Sequence, residues 1–218
     1  MSTIFHQTLK KYWGYDNFRG VQLDIIESIA GGKDTLGLMP TGGGKSITFQ
    51  VPALTMDGVC IVITPLVALM KDQVMHLRER GIKAEAIHAE QTHGEISQIL
   101  DNAIFGAVKF LYISPERIHS ELFQKKLYYM QVCFVAVDEA HCISQWGYDF
   151  RPSYLLISKI RQLKPEAPIL ALTATATPLV VDDIQERLGF AHKNVFRMSF
   201  YRDNLSYIVR WTQDKNRN

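Results

Sequence analysis

The sequence predicts an α/β domain with a mostly parallel central sheet, and three observations favour this fold class. Short apolar runs alternate along the chain with amphipathic stretches, as strands alternate with helices in βαβ units. The run at residues 59–63 is apolar throughout, which is typical of a strand covered on both faces. At residues 36–46 an apolar run leads through three glycines into Lys45 and Ser46, a strand–loop–helix pattern.

Length and composition are those of an ordinary globular protein. The 218 residues allow one large domain, with 47% hydrophobic and 21% charged residues. A formal net charge of +2 means that any nucleic-acid surface must be a local patch. The three cysteines, Cys60, Cys133 and Cys142, are widely spaced along the chain, and Cys60 and Cys133 lie in apolar runs and are expected to be buried, so a reducing compartment fits.

The chain shows no sign of export or membrane insertion. Residues 1–10 are polar, and no apolar run approaches the roughly 18 residues that span a bilayer. We therefore expect a soluble protein that is not secreted, placed in the cytoplasm (nucleoid) of a bacterium or in the nucleus of a eukaryote, with no membrane partner.

Helical periodicity and capping signals place the elements of the first half. Val21, Ile25 and Ile29 share one helical face, and Thr92 with Glu95 forms a capping box. These patterns predict helices at residues 4–13, 21–30, 45–55, 66–80 and 92–106, and strands at 36–39, 59–63 and 84–88.

The second half repeats the alternation. Ser114 and Pro115 supply an N-cap and a first-turn proline for a helix, and Thr177 caps another. Strands are predicted at residues 108–113, 132–137, 169–173 and 195–198, with helices at 153–163 and 178–188, an irregular aromatic stretch at 142–154 and a frayed tail at 212–218.

The glycine-rich segment has the composition of a phosphate-binding loop. Its glycines let successive backbone N–H groups point inward, and a helix N-terminus follows. Lys45 would contact the β- and γ-phosphates, and the Ser46 hydroxyl would bind Mg²⁺. A glycine-rich turn with an incidental lysine is the alternative. The candidate nucleotide-binding residues are Thr41, Gly42, Gly43, Gly44, Lys45 and Ser46.

An acidic pair, Asp138 and Glu139, directly follows the most apolar strand. Asp138 would hold Mg²⁺, and Glu139 would orient and deprotonate an attacking water. An acidic pair alone often begins a solvated loop. Combined with Lys45, however, it indicates hydrolysis of a nucleoside triphosphate.

Three longer motifs resemble the RecQ DNA helicases of superfamily 2. They are Met-Pro-Thr-Gly-Gly-Gly-Lys-Ser at residues 39–46, Pro-Leu-Val-Ala-Leu-Met-Lys-Asp-Gln-Val at 65–74 and Asp-Glu-Ala-His-Cys-Ile-Ser-Gln-Trp-Gly-Tyr-Asp-Phe-Arg-Pro at 138–152. The match runs from about residue 9 to 209. It implies a three-layer α/β/α P-loop NTPase (RecA-like) fold, a catalytic role for His141, ATP and Mg²⁺ as cofactors, and single-stranded and partly duplex DNA as partners. Superfamily members often lack the first loop glycine, whose place Met39 takes here.

The resemblance also implies an adenine site. Tyr15 and Arg19 would sandwich the ring and Gln22 would hydrogen-bond its edge, although ordinary surface packing is the alternative for Tyr15 and Arg19. The family usually has Arg-Pro-Gly-Gln where this chain has Arg-Gly-Val-Gln at residues 19–22. The spacing is kept, but the stiffness of proline is lost.

DNA contact and coupling are assigned by the same resemblance. Trp146, Phe150 and Arg151, beside Tyr148, belong to an aromatic loop that contacts single-stranded DNA and couples it to hydrolysis, unless the loop packs into the domain's own core. Lys71 and Arg117 are candidate DNA phosphate contacts, with solvated charges as the alternative.

The resemblance also implies a sensor pair, Thr173 and Thr175 at a strand end. These residues are expected to hydrogen-bond toward Asp138 or Glu139 and to report the state of the γ-phosphate.

We expect residues 1–210 to form the ATP-binding lobe of a 3′-to-5′ helicase, and residues 211–218 to be a polar tail at the boundary to a second lobe. Without the arginine of that second lobe, this chain should bind ATP, hydrolyse it weakly and not unwind DNA. Two alternatives stay open. One is an RNA-directed helicase of the same superfamily, which the aromatic loop disfavours. The other is a non-catalytic, nucleotide-gated binding module.

Overall fold

The computed structural model describes residues 2–199. The predicted domain end at residue 210 and the polar tail at 211–218 lie outside the described residues and stay predictions.

Within residues 2–199, seven strands form one sheet, and every pairing in it is parallel. The strand order is β3-β4-β2-β5-β6-β1-β7. This confirms the predicted parallel α/β architecture. The strands are β1 (Thr35–Leu38), β2 (Val59–Ile63), β3 (Ala84–Ile87), β4 (Phe110–Ile113), β5 (Val132–Val137), β6 (Ile169–Thr173) and β7 (Val195–Arg197).

Eight α-helices of the described chain surround this sheet. They are α1 (Ser2–Trp13), α2 (Gln22–Ala30), α3 (Lys45–Thr55), α4 (Val67–Glu79), α5 (His93–Ile104), α6 (Glu121–Tyr129), α7 (Ser158–Leu163) and α8 (Pro178–Arg187).

Alternation along each strand produces two separate cores. On β2, Cys60 and Val62 face a core shared with α2, α3 and α4, whereas Ile61 and Ile63 face a core shared with α5, α6, α7 and α8. Successive side chains of a strand point to opposite faces, so the continuous apolar runs seen in the sequence serve both layers. The three-layer α/β/α arrangement is therefore confirmed. Helix α1 packs outside α2 and α3 through Phe5 and Leu9.

Two predicted helix starts have the expected capping bonds. The Thr92 hydroxyl accepts from the backbone N–H of Glu95 at 3.3 Å, and the Glu95 carboxylate accepts from the backbone N–H of Thr92 at 2.7 Å. The Thr177 hydroxyl accepts from the backbone N–H of Val180 at 3.4 Å.

Two other predicted helices are split by 3₁₀ turns. After Pro115 the chain forms a 3₁₀ turn (Pro115–His119) with no side-chain cap from Ser114, and extended backbone at Ser120 separates it from α6. The predicted helix at 153–163 begins as a second 3₁₀ turn (Pro152–Ile157) before α7. Tyr154 and Ile157 are buried three residues apart, which suits the three-residue repeat of a 3₁₀ helix.

All three thiols are buried, and none forms a disulfide in the part of the chain that the structure describes. No helix among the described residues is both long and apolar enough to cross a membrane.

Candidate nucleotide-binding and catalytic site

The phosphate-binding loop joins the carboxyl end of β1 to the N-terminus of α3. Gly42 and Gly44 have φ angles of +79° and +76°, a region that residues with a Cβ rarely adopt. Gly44 occupies the N-cap position of α3, where no side chain caps the helix. The first N–H groups of α3 are therefore left to face a ligand, as an anion site requires.

Gln22 is buried, and its side chain hydrogen-bonds the backbone of the phosphate-binding loop. Its side-chain amide donates to the carbonyl oxygens of Gly43 at 3.0 Å and Gly44 at 3.3 Å, and its own oxygen accepts from the backbone N–H of Arg19 at 2.8 Å. A Cβ placed on Gly44 would lie 2.4 Å from the Gln22 amide nitrogen. In this structure Gln22 thus fixes the loop, and its predicted bond to adenine stays a prediction.

Tyr15 and Arg19 share a cleft of about 150 Å³ with Gln22 and the loop glycines. The structure thus brings the predicted adenine residues next to the predicted phosphate loop. The Arg19 guanidinium carbon lies 5.7 Å from the centre of the Tyr15 ring, so the two side chains face each other. Their role as a sandwich around adenine stays a prediction.

The acidic pair follows β5, as the sequence predicts. The Asp138 carboxylate accepts from the backbone N–H of Glu139 at 3.0 Å, and its backbone oxygen accepts from the buried Tyr154 hydroxyl at 3.0 Å. Burial, with a further contribution from the Glu139 carboxylate, raises the pKa of Asp138 to about 6, against the opposing effect of Lys45. Among residues 2–199, Glu139 is the one non-glycine residue with positive φ, at 48°. Such backbone strain is typical of functional sites.

Lys45 and Glu139 meet across strand β6. The Lys45 ammonium lies 3.4 Å from one Glu139 carboxylate oxygen, and the other oxygen lies 3.3 Å from Nδ1 of His141. Strand β1, which leads into the loop before Lys45, and strand β5, which ends just before Asp138 and Glu139, are both paired with β6. Thr173 ends β6, and its hydroxyl lies 2.9 Å from the same His141 nitrogen. We call Lys45, Asp138, Glu139, His141 and Thr173 the strand-end cluster.

The expectation that Thr173 and Thr175 bond Asp138 or Glu139 is corrected by these contacts. The Thr173 hydroxyl donates to the Thr175 carbonyl at 3.2 Å, so it can only accept from His141 Nδ1–H. The Thr175 hydroxyl instead lies 3.4 Å from that of Tyr148. The buried imidazole of His141 lies between Thr173, at the end of β6, and Glu139. The spacing of these residues in the sequence does not show this arrangement.

His141 is held as a neutral imidazole with a defined tautomer. Burial lowers its pKa, against the opposing effect of Glu139. Both neighbours of Nδ1, the Thr173 hydroxyl and the Glu139 carboxylate, accept a hydrogen. The proton therefore resides on Nδ1, and Nε2 presents its lone pair toward the sulfur of Cys142 at 3.8 Å.

The donor set fits ATP with Mg²⁺. Asp138 and Glu139 supply the carboxylate oxygens that a hard cation prefers, beside a lysine and a helix N-terminus that no side chain caps. Ser46 is half-buried in the first turn of α3 and lines a neighbouring cleft with Trp13 and Gln50. Its predicted bond to Mg²⁺ stays a prediction.

The aromatic loop, residues 145–152, follows shortly after His141 of the strand-end cluster in the sequence. Trp146 and Tyr148 are 68% and 82% exposed, and Phe150 is half-buried, so the loop is not packed into the core. The Tyr148 ring stacks on His141 with centroids 5.4 Å apart and planes at 16°. Arg151 contacts Asp149 at 3.1 Å, and its backbone N–H bonds the Cys142 carbonyl at 2.9 Å.

The two candidate phosphate contacts differ in their surroundings. Lys71 pairs with Glu90 at 2.6 Å, so its charge is already engaged. Arg117 lines a cleft of about 650 Å³ with Pro65, Val67 and Ser114. This cleft opens where β2 and β4 end, beside the strand-end cluster.

Sequence reasoning did not identify two contacts of this site. Tyr148 stacks on a catalytic candidate, and Tyr154 fixes the backbone of Asp138. The unusual density of aromatic residues between 146 and 154 was the sequence feature that pointed to such contacts. Only the fold shows which of these side chains face the site.

Comparisons with known proteins agree with this geometry. The DEAD/DEAH box helicase family model matches residues 19–184. The ATP-dependent DNA helicase RecQ of Haemophilus influenzae is 44% identical over 92% of this chain, and that of Bacillus subtilis is 47% identical over 96%. The RecQ-like DNA helicase blm-1 of Caenorhabditis elegans is 41% identical over 95%. The chain spans 32%, 36% and 22% of these three proteins, respectively.

Solved structures show the same fold at lower sequence identity. The helicase domain of Hef from Pyrococcus furiosus has a TM-score of 0.62 at 22% identity, covering 83% of this chain and 38% of that one. A hypothetical ATP-dependent RNA helicase from Sulfolobus tokodaii has a TM-score of 0.67 at 20% identity, covering 91% and 57%. These likenesses show the fold, and the match of the family model over residues 19–184 shows that the chain belongs to the DEAD/DEAH box helicase family, where it resembles the RecQ helicases.

Proposed function

We propose that this chain is the ATP-binding lobe of a DNA helicase that couples ATP hydrolysis to 3′-to-5′ movement on single-stranded DNA and to unwinding of partly duplex DNA. The observation that carries the proposal is the approach of Lys45 to Glu139, 3.4 Å apart across β6 and beside a glycine loop at a helix N-terminus. The relatives named as ATP-dependent DNA helicases support DNA as the substrate.

Each residue has a role that its surroundings support. The loop N–H groups and Lys45 bind the β- and γ-phosphates, and Asp138 binds Mg²⁺. Mg²⁺ held there would supply positive charge to offset the charge that develops on the transferring phosphoryl group. Glu139 orients the attacking water and accepts its proton. His141 contacts both Glu139 and Thr173, so a shift of the Glu139 carboxylate would also move the hydrogen bond to Thr173.

Coupling to DNA is assigned to the aromatic loop. Trp146 offers an exposed ring on which a base can stack, and Tyr148 connects the same loop to His141. DNA bound to the loop would thereby influence His141, which contacts Glu139. Arg117, in its cleft beside Ser114, is proposed to bind the DNA backbone, as is Lys71 once released from Glu90.

The isolated chain is expected to bind ATP and to hydrolyse it weakly. In helicases of this kind a second lobe supplies an arginine to the transferring phosphoryl group, and such arginines contribute about 10³–10⁵ in rate. The second lobe is proposed for the whole protein, since this chain spans 32% and 36% of the two bacterial RecQ relatives.

The test compares Glu139→Gln with Lys45→Ala in the full-length protein. Glu139→Gln should keep ATP affinity and lose about 10²–10⁴-fold in turnover, because it keeps the shape but cannot accept a proton. Lys45→Ala should weaken ATP binding itself. Glu186→Gln, an exposed residue of α8, is the matched control and should change neither property. Near-normal turnover by Glu139→Gln would overturn the proposed base.

A further inference from the structure

Three potential metal ligands of different chemistry converge beside the strand-end cluster. They are Nε2 of His141, Sγ of Cys142 and a carboxylate oxygen of Asp149, and all three atoms lie within 4.8 Å of one another. His141 and Cys142 belong to a 3₁₀ turn (Ala140–Ile143) after β5, whereas Asp149 lies in the aromatic loop. The hydrolysis described above uses neither Cys142 nor Asp149.

The spacing of these atoms is close to that of a tetrahedral site. With Zn–S of about 2.3 Å and Zn–N or Zn–O of about 2.1 Å, neighbouring ligand atoms stand about 3.5 Å apart. The sulfur of Cys142 lies 3.8 Å from His141 Nε2 and 3.6 Å from Asp149 Oδ2. The remaining pair, His141 Nε2 and the Asp149 oxygen, lies within 4.8 Å, so a bound cation would have to draw these two atoms closer together.

The surrounding bonds orient the ligands as metal sites require. His141 donates from Nδ1 to Thr173, which leaves Nε2 unprotonated and able to bind a cation, 3.8 Å from the sulfur. Asp149 Oδ2 also accepts from the Arg151 guanidinium at 3.1 Å. Arg151 is partly exposed and can move to the other carboxylate oxygen.

We propose that His141, Cys142 and Asp149 form a binding site for a borderline-soft divalent cation of the Zn²⁺ class, with one coordination position left to solvent. Thiolate and imidazole ligands together favour Zn²⁺ and Co²⁺ over Mg²⁺, so this site is distinct from that of the ATP-bound cation. The sulfur binds as thiolate, and the thiol proton it loses passes to the solvent.

Occupancy would fasten the aromatic loop to the end of β5, because Asp149 and the other two ligands lie on different segments. This consequence rests on the proposed function: a fastened loop could not change its arrangement when DNA binds. Micromolar Zn²⁺ should then reduce stimulation of ATP hydrolysis by DNA in the full-length protein, and Asp149→Asn should relieve that inhibition.

The site itself is tested without reference to hydrolysis. The chain, in buffer with Mg²⁺, is titrated with Co²⁺ and followed by thiolate-to-cobalt charge-transfer absorption, and Zn²⁺ should displace the Co²⁺. Cys142→Ser should abolish the band, and Cys133→Ser, which alters another buried thiol, should leave it unchanged. Asp149→Asn, at a partly exposed position that does not threaten folding, should weaken Co²⁺ affinity at least about tenfold.

Either of two outcomes overturns the site: a band that persists in Cys142→Ser, or unchanged affinity in Asp149→Asn. Should Cys142→Ser fail to fold, Asp149→Asn decides alone. If the metal binds as expected but stimulation by DNA is unaffected, the site stands and its regulatory consequence is wrong. If Glu139→Gln retains turnover, the proposed catalytic base fails while the metal titration remains valid.

Discussion

The strand-end cluster and the aromatic loop are neighbours in sequence but are held in place by different forces. Asp138 is fixed by the β5 ladder, by the backbone N–H of Glu139 and by the hydroxyl of Tyr154. The loop's aromatic rings are largely exposed, and its contacts to the cluster are a stacked ring and a few hydrogen bonds. The acidic residues thus follow directly from a paired strand, whereas the aromatic loop is held by one ring stack and a few hydrogen bonds. A segment held in this way can adopt a second arrangement at low cost.

The largest effect is expected where the backbone itself is changed. Gly44→Ala places a Cβ 2.4 Å from the Gln22 amide at a φ of +76°. The strain of about 1–2 kcal/mol adds to the loss of Gln22 bonds, each worth about 1 kcal/mol. We expect an approximately 100-fold loss of ATP affinity, measured by titration calorimetry.

Gly81→Ala is the matched control for Gly44→Ala. Its φ is +72°, but nothing lies within 4 Å of the added Cβ. It should lower the free energy of unfolding by the strain alone and leave ATP affinity unchanged. Equal ATP affinities for the two variants would contradict the steric explanation.

The second prediction concerns the cost in folding stability of burying the Asp138 carboxylate in the strand-end cluster. The pKa of Asp138 is raised from 3.8 to about 6, so the folded chain binds this proton more tightly than the unfolded chain does. The contribution of Asp138 to stability is therefore fully present below pH 3.8 and falls as the pH rises toward about 6. Asp138→Asn should stabilise the protein at pH 8, without Mg²⁺, by about 2–3 kcal/mol.

Urea unfolding of both proteins between pH 5 and pH 8 checks this prediction. The stability difference should grow with pH and level off above about 6. A wild-type protein as stable as Asp138→Asn at pH 8 would show that burial of this carboxylate carries no cost.

A third prediction concerns the loop. Trp146→Ala should weaken binding of single-stranded DNA by about 1–3 kcal/mol, the worth of one stacked base. In the full-length protein it should keep DNA-independent hydrolysis and lose most of the stimulation by DNA, because coupling needs the loop to respond to both sites. Rates are measured against DNA concentration at fixed salt, with binding measured separately.

Tyr129→Ala is the control for Trp146→Ala. Tyr129 is 69% exposed, about the same as Trp146, but lies at the end of α6. It should change neither binding nor stimulation. Stimulation that survives at saturating DNA in Trp146→Ala would reduce the loop to a simple contact.

The smallest effect is expected from Tyr148→Phe. It removes the long 3.4 Å contact to Thr175 and keeps the ring stacked on His141. Stimulation by DNA should change by less than about twofold, since exposed hydrogen bonds contribute little. Tyr148→Ala, which also loses the stack, should reduce stimulation further. If the two variants behave alike, the stack does not connect the loop to His141.

The comparison also explains how much could be predicted from sequence. The run at 59–63 predicted a strand because both faces of β2 are buried, and Thr92 predicted its capping box because that signal is local. The bond from Thr173 to His141 was not predicted because it joins residues that only the β5–β6 pairing brings together. The contacts of Gln22 to Gly43 and Gly44 were not predicted for the same reason, because they depend on the packing of α2 against α3.

The strand order also determines when the nucleotide site can exist during folding. Strand β1, which precedes the phosphate loop, pairs with β6 on one side and β7 on the other, with Thr35 opposite Leu170 and Leu36 opposite Val195. A ribosome therefore completes β1 long before it makes either neighbour. Closing such long loops costs chain entropy before any pairing compensates, and this slows folding. Nucleotide that requires a paired β1 can therefore stabilise the domain only after β6 and β7 have docked.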